Sequence, residues 1–199
     1  MTPARTLAIV DLDYGNIASI RHAFARLGVN ADVTADADAL RAADRVVLPG
    51  VGAAGHAMAR LRQRGLVETI RMLECPALGI CLGMQLLFES SDENDIECLG
   101  LVPGRVRALQ PAEDRPVPHM GWSALSLADD AVGLAEGAYV YFAHSFACPD
   151  GNATVARAQY GEPIPAAIAH QNWWAAQFHP ERSGAAGARY LQAFLEWQP

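Results

Sequence analysis

The segment from Thr6 to Val10 is a compact, mostly apolar run, the pattern of a strand buried on both faces. The period then changes. Ile17, Ile20, Phe24 and Leu27 recur at helical spacing on one face, Asn16 stands where an N-cap belongs, and Gly28 fits the stop. A second strand is predicted near Ala31–Thr34. A third runs from Arg45 to Leu48 and ends in Pro49-Gly50-Val51-Gly52. Helical segments are predicted over Ala54–Arg64 and Leu66–Glu74. Ala77–Ile80 forms another buried strand that leads straight into Cys81, and a helix starting at Leu82 carries Leu86, Leu87 and Phe88.

This strand–helix alternation predicts a parallel sheet with helices on both faces, in which ligands gather at the carboxyl ends of the strands. The second half is richer in strands. Arg105–Leu109, Tyr139–Ala147, Ala153–Gln159 and Ile164–Ala169 have β-like composition, and Asn172 marks a turn before Trp173–Phe178. A closing helix from Ala185 to Trp197 places Ala188, Leu191 and Leu195 in one stripe. No repeat or linker breaks the pattern, so residues 1–199 read as one α/β domain with a mixed sheet.

Composition adds limits. The 199 residues are about half hydrophobic, enough to bury a proper core. A net charge of -7 argues against a large nucleic-acid or anionic-membrane footprint. No apolar run approaches the ~18 residues of a transmembrane helix, and Asp11 interrupts the N-terminal apolar stretch, so it reads as a strand and not a signal peptide. A cytoplasmic location is expected. The four cysteines, Cys75, Cys81, Cys98 and Cys148, form no Cys-x-x-Cys pair, which disfavours a zinc ribbon or a thioredoxin-type site. Three are expected to be ordinary reduced thiols.

Cys81 is the exception. In Leu78-Gly79-Ile80-Cys81-Leu82-Gly83-Met84-Gln85 a buried strand turns sharply into a helix with the thiol at the corner. Glycines two positions to either side let the backbone make that turn, as in the strand–turn–helix elbow that presents a nucleophilic serine. A helix N-terminus favours a thiolate, and the N–H of Leu82 points where an oxyanion would form. An isolated cysteine is most often a small core residue; the flanking glycines shift the balance towards a nucleophile.

A base is available near the C-terminus. His179 closes an apolar strand and so belongs at the same sheet edge as Cys81, and Pro180 biases it towards an extended conformation. Glu181 is placed to reach back to the ring, where a carboxylate fixes the tautomer and raises basicity. Alone, His179 would read as a core histidine and Glu181 as a solvated carboxylate; with a nucleophile elbow, a Cys–His–Glu triad is the stronger reading. The Gly50–Gly52 loop follows a strand and lacks the Lys-Ser/Thr of a phosphate-binding loop, so it is read as the second oxyanion donor beside Leu82.

GICLGMQ, FHPERSG and PGVG together resemble class I, triad-type glutamine amidotransferases. Asn16 with Ser19, Pro118-His119-Met120-Gly121-Trp122, Tyr141-Phe142-Ala143-His144-Ser145-Phe146 and Leu99–Gly104 resemble the glutaminase subunits of imidazole glycerol phosphate synthases. The resemblance implies a flavodoxin-like fold, glutamine hydrolysis, and a role in histidine biosynthesis. It makes Cys81 the nucleophile, His179 the acid/base and Glu181 its orienter, with Gly50, Gly52 and Leu82 forming the oxyanion hole. Gln85, Glu93, Ser145 and Phe146 match positions that hold glutamine, and Asn16, Trp122 and Arg182 match positions at a subunit interface. It implies no metal or organic cofactor.

The chain departs from the family at Asp11-Leu12-Asp13, before Tyr14-Gly15-Asn16, and at Ala54, where an aromatic residue is common. The triad domain takes up nearly the whole sequence, so the ammonia acceptor is expected on a separate protein, which the resemblance implies to be a (β/α)₈ cyclase subunit in a heterodimer. A triad glutaminase of another synthase and a cysteine hydrolase on the same scaffold are the rival readings; the Pro118–Trp122 segment speaks against the first.

Overall fold

The computed structural model describes residues 6–13, 17–50, 52–113, 115–128 and 133–199. In chain order the elements begin with β1 (Leu7–Val10), α1 (Ile17–Arg26), β2 (Ala31–Thr34), α2 (Ala37–Ala42), β3 (Arg45–Leu48), α3 (Ala54–Gln63), α4 (Val67–Arg71), β4 (Ala77–Ile80) and a single helical turn, α5 (Leu82–Gln85). Strands then dominate: β5 (Phe88–Ser91), β6 (Ile96–Glu97), β7 (Val102–Ala108), β8 (His119–Leu127), β9 (Tyr139–His144), β10 (Phe146–Ala147), β11 (Thr154–Tyr160), β12 (Glu162–His170) and β13 (Trp173–Ala176). A 3-10 turn, Pro180–Arg182, and the long α6 (Gly184–Glu196) complete the fold.

Nine strands form one sheet in the order β2-β1-β3-β4-β13-β12-β11-β8-β9. The five from β2 to β13 pair parallel and the rest antiparallel. A smaller sheet, β10-β7-β5-β6, packs beside it. Two apolar cores lie on the two faces of the large sheet. Leu7 and Ile9 enter one core while Ala8 and Val10 enter the other, as a pleated strand demands. The first core holds Ile20 and Phe24 of α1 and Tyr190 and Phe194 of α6; the second holds Leu40, Met58, Leu61 and Ile70 of α2, α3 and α4. This is the mixed α/β sheet expected of the whole chain, with the parallel part and its helices on both faces where the strand–helix alternation predicts them. Among the described residues no helix is long and apolar enough to cross a membrane.

Local chemistry explains most boundaries. Gly28 ends α1 at φ +80, with the Val29 N–H donating to Phe24 O at 3.0 Å, the double-bonded C-cap that needs a left-handed residue. Asn16, read as the N-cap of α1 and as an interface residue, lies outside the described residues. Asp36 caps α2, a helix the apolar spacing does not announce, by accepting from the N–H groups of Asp38 and Ala39. The helix expected to run from Leu82 through Phe88 stops after one turn. The N–H groups of Leu99, Gly100, Leu101 and Val102 donate to the carbonyls of Leu86, Phe88, Leu87 and Leu87, which diverts that stretch into β5 and its neighbours. Leu86, Leu87 and Phe88 are fully buried either way, so burial alone does not choose helix or strand. The segment Tyr139–Ala147 is two strands: β9 pairs with β8 in the large sheet, and after Ser145 β10 pairs with β7 in the small one.

Candidate active site

β4 and β13 are neighbours, aligned Ile80 to Ala176, so the residues that follow them emerge together at one edge. Cys81 follows β4 directly and is held to the adjoining strand by its N–H, which donates to Ala176 O at 2.7 Å. Its backbone sits at φ 53, ψ -109, a conformation that costs an L-residue about 1–3 kcal/mol and is kept only where the surroundings enforce it. What enforces it is close packing. A Cβ on Gly83 would lie 2.1 Å from Leu48 O, one on Gly50 would lie 2.4 Å from Gly83 N, and one on Gly79 would lie 2.9 Å from the Gly83 carbonyl. The glycines allow strand, loop and helix backbones to touch. Gly50 therefore packs on the back of the elbow and is absent from the cleft lining, whereas Gly52 lines the cleft.

His179 stands three residues past β13 with φ -96, ψ 98, the extended backbone that Pro180 imposes. Its N–H donates to Tyr141 O at 2.8 Å, and its carbonyl accepts from Ser183 Oγ at 2.7 Å. The Ser183 hydroxyl also accepts from the Tyr141 N–H at 2.9 Å, so β9 and the 3-10 turn are locked together around the histidine. His179 Nδ1 lies 2.8 Å from Glu181 Oε1, leaving Nε2 for the sulfur of Cys81. Burial pulls the imidazolium down. Hydrogen bonds to Cys81 and Glu181, together with their charges, outweigh it and raise the His179 pKa to about 10.

The three side chains face a cleft of about 340 Å³ that also collects Leu82, Gln85, Glu93, Ser145 and Phe146. Gln85 Nε2 donates to Phe146 O at 2.9 Å and to Gln177 Oε1 at 3.0 Å, so it ties two walls of the cleft together. Glu93 Oε2 accepts from the Ala54 N–H at 2.7 Å, capping α3 from across the chain. At the rim Trp122 is 53% exposed and meets Tyr141 edge-on at 5.9 Å, while the Arg182 guanidinium lies 4.7 Å from the centre of the Tyr141 ring. Met120, 65% exposed, joins Arg182 in the lining. Two residues that the sequence pattern leaves without a role also sit at the site. Gln177 is fully buried and its Nε2 lies 3.7 Å from Cys81 Sγ. His144 lines the cleft and bonds to Phe146 O at 2.7 Å. His144 lies inside a segment that carries the resemblance and Gln177 directly precedes another, which is the signal that could have found them.

Such an arrangement can activate a thiol, receive an oxyanion at a helix start, and return a proton to a leaving group. The glutamine amidotransferase class-I family matches residues 8–197. Imidazole glycerol phosphate synthase subunit HisH of Xanthomonas campestris pv. campestris (strain 8004) is 51% identical over 193 residues, 96% of either chain. The protein of the same name from Idiomarina loihiensis is 47% identical over 191 residues, 96% of this chain and 97% of that one. Among solved structures, a crystal structure of a glutamine amidotransferase superposes with TM-score 0.75 at 20% identity, covering 96% of this chain and 97% of the other. A glutamine amidotransferase from Thermotoga maritima gives 0.66 at 18% identity, covering 97% and 83%.

Proposed function

Because the chain belongs to the class I glutamine amidotransferase family, we propose that it acts as a single glutaminase domain, the glutamine-hydrolysing subunit of an imidazole glycerol phosphate synthase. The thiolate of Cys81 attacks the side-chain carboxamide carbon of glutamine. Negative charge builds on the carboxamide oxygen, and the Leu82 N–H together with the Gly52 loop stabilises it. His179 gives its Nε2 proton to the departing nitrogen, ammonia leaves, and a glutamyl thioester remains on the sulfur. His179 then takes a proton from water, which attacks the thioester and releases glutamate. Glu181 holds the ring in one tautomer throughout. Gln85, Glu93, Ser145 and Phe146 seat the substrate, and no cofactor or metal takes part.

Ammonia passes to a (β/α)₈ cyclase subunit docked over the rim at Trp122 and Arg182, giving imidazole glycerol phosphate and an aminoimidazole carboxamide ribotide. The setting is the cytoplasm, where the four unpaired thiols suit a reducing compartment. The observation that carries the reading is the 2.8 Å contact of His179 with Glu181 beside a cysteine held at positive φ at the end of the adjoining strand. The test is glutamate release by the purified chain, alone and with the cyclase partner and its phosphorylated ribotide ligand. Slow release alone and strong stimulation by the partner are expected. Full activity without the partner, or none with it, contradicts the proposal.

A further inference from the structure

Two buried histidines, His144 in the cleft wall and His119 behind it, form a pair that the hydrolytic chemistry does not use. His119 and His144 face each other across β8 and β9 and are 3% and 5% exposed. His144 Nδ1 lies 2.7 Å from Phe146 O, His144 Nε2 lies 3.1 Å from His119 Nδ1, and His119 Nε2 lies 3.0 Å from Ser123 Oγ. Burial holds both pKa values down at about 4, so both rings are neutral at working pH.

The proton positions then follow one from another. A carbonyl only accepts, so His144 carries its hydrogen on Nδ1 and its Nε2 is bare. His119 must therefore donate from Nδ1, and its own Nε2 accepts from the Ser123 hydroxyl. The His119 ring has little freedom to turn: it is stacked on Phe142 at 4.7 Å and on Tyr160 at 3.9 Å.

The carbonyl at the end of this relay needs such support. Phe146 begins β10, one residue beyond the point where the chain leaves the large sheet for the small one. Its oxygen takes two side-chain donors, His144 Nδ1 and Gln85 Nε2. Gln85 continues to Gln177, which reaches the Cys81 sulfur. The orientation of the Ser145–Phe146 wall relative to the nucleophile is thus set from two sides, by Gln85 and by the histidine pair.

We propose that His119 and His144 are positioning residues that fix the Phe146 carbonyl, and so hold the Ser145–Phe146 wall of the cleft in place for substrate. The inference rests on the glutaminase reading above. Its signature is a separation of KM from kcat, because the relay touches the binding wall and not the triad.

Two measurements test it. In the complex with its cyclase, His119→Phe keeps the ring stack but removes the donor; KM for glutamine is expected to rise about tenfold with kcat within about twofold. His119→Asn keeps a donor at the Nδ1 position and is expected to restore KM to within about twofold of wild type. Nitrogen-15 NMR of the histidine rings in the wild-type chain is expected to show Nδ1–H on both His119 and His144. Wild-type complex without glutaminase activity overturns the functional reading and this inference with it. An active wild type whose His119→Phe variant keeps its KM, or whose His119→Asn variant behaves like His119→Phe, overturns the relay alone. So does an Nε2–H tautomer at His119, which would set two lone pairs against each other.

Discussion

Glu181 Oε1 sits 2.8 Å from His179 Nδ1, two residues away in sequence, with its side chain only 3% exposed. The 3-10 turn started by Pro180 folds the carboxylate back onto the ring it follows. A buried charge in that position both selects the tautomer and stabilises the imidazolium. Glu181→Gln keeps an acceptor oxygen but removes the charge. The expected outcome is a drop in kcat of about 100-fold or more with the fold intact, read by steady-state glutaminase kinetics and circular dichroism. Unchanged kcat would mean that the carboxylate serves only the turn.

The bonds of His179 to Cys81 and Glu181 together make stability depend on pH in a defined direction. A histidine in the unfolded chain titrates near ~6.5, whereas His179 in the fold keeps its proton up to about 10. Between those values the native state binds more protons, so this contribution is fully present below about pH 6.5 and is lost as pH rises through about 10. The gap in Tm between the wild type and His179→Gln is expected to shrink steadily across that window in differential scanning calorimetry. A gap that stays constant, or widens with pH, contradicts the assignment.

The elbow depends on backbone contact that no side chain can enter. Gly83→Ala would bring a methyl group to 2.1 Å from the carbonyl oxygen of Leu48, a backbone atom that cannot swing away. Urea unfolding is expected to show a loss of about 2–3 kcal/mol, with glutaminase activity falling as the corner moves. Gly151→Ala, with nothing within 4 Å of the added methyl, is expected to stay within about 0.5 kcal/mol of wild type.

Much of this was legible in the sequence, and the parts that were not share physical reasons. β4 and β13 are short apolar runs, each followed by its reactive residue, so parallel pairing alone brings Cys81 and His179 to one edge. β8 hides because its pattern is inverted: His119, Gly121 and Ser123 point inward while Met120 and Trp122 point out. A strand whose inner face is without large apolar side chains until Leu125 gives little hydrophobic alternation to detect. β5 hides because Phe88 ends an apolar stretch and Glu89, Ser90 and Ser91 follow without alternation; what selects strand there is the set of N–H donors at Leu99–Val102, distant in sequence from the elbow that starts the helix. The sequence places Gly50 in the oxyanion loop; its close contact with Leu82 and Gly83 is visible only once the elbow is folded.

The exposed rim gives a prediction about the partner. Trp122 is half exposed and meets Tyr141 edge-on, so Trp122→Ala is expected to leave the Tm of the isolated chain nearly unchanged. A central aromatic anchor at an interface is worth about 2 kcal/mol or more, so affinity for the cyclase is expected to fall about 30-fold by isothermal titration calorimetry. Unaltered affinity would place the docking face elsewhere.

In the proposed reaction the sulfur of Cys81 forms a covalent intermediate with the substrate while His179 moves the proton. Rapid acid quench of the complex during turnover, followed by peptide mass spectrometry, addresses it directly. A glutamyl thioester is expected on the peptide containing Cys81, absent from Cys81→Ala and strongly reduced in His179→Gln, while the Cys81→Ala complex still makes product from added ammonia. Glutamate release by Cys81→Ala, or a glutamyl adduct on any other residue, would contradict it.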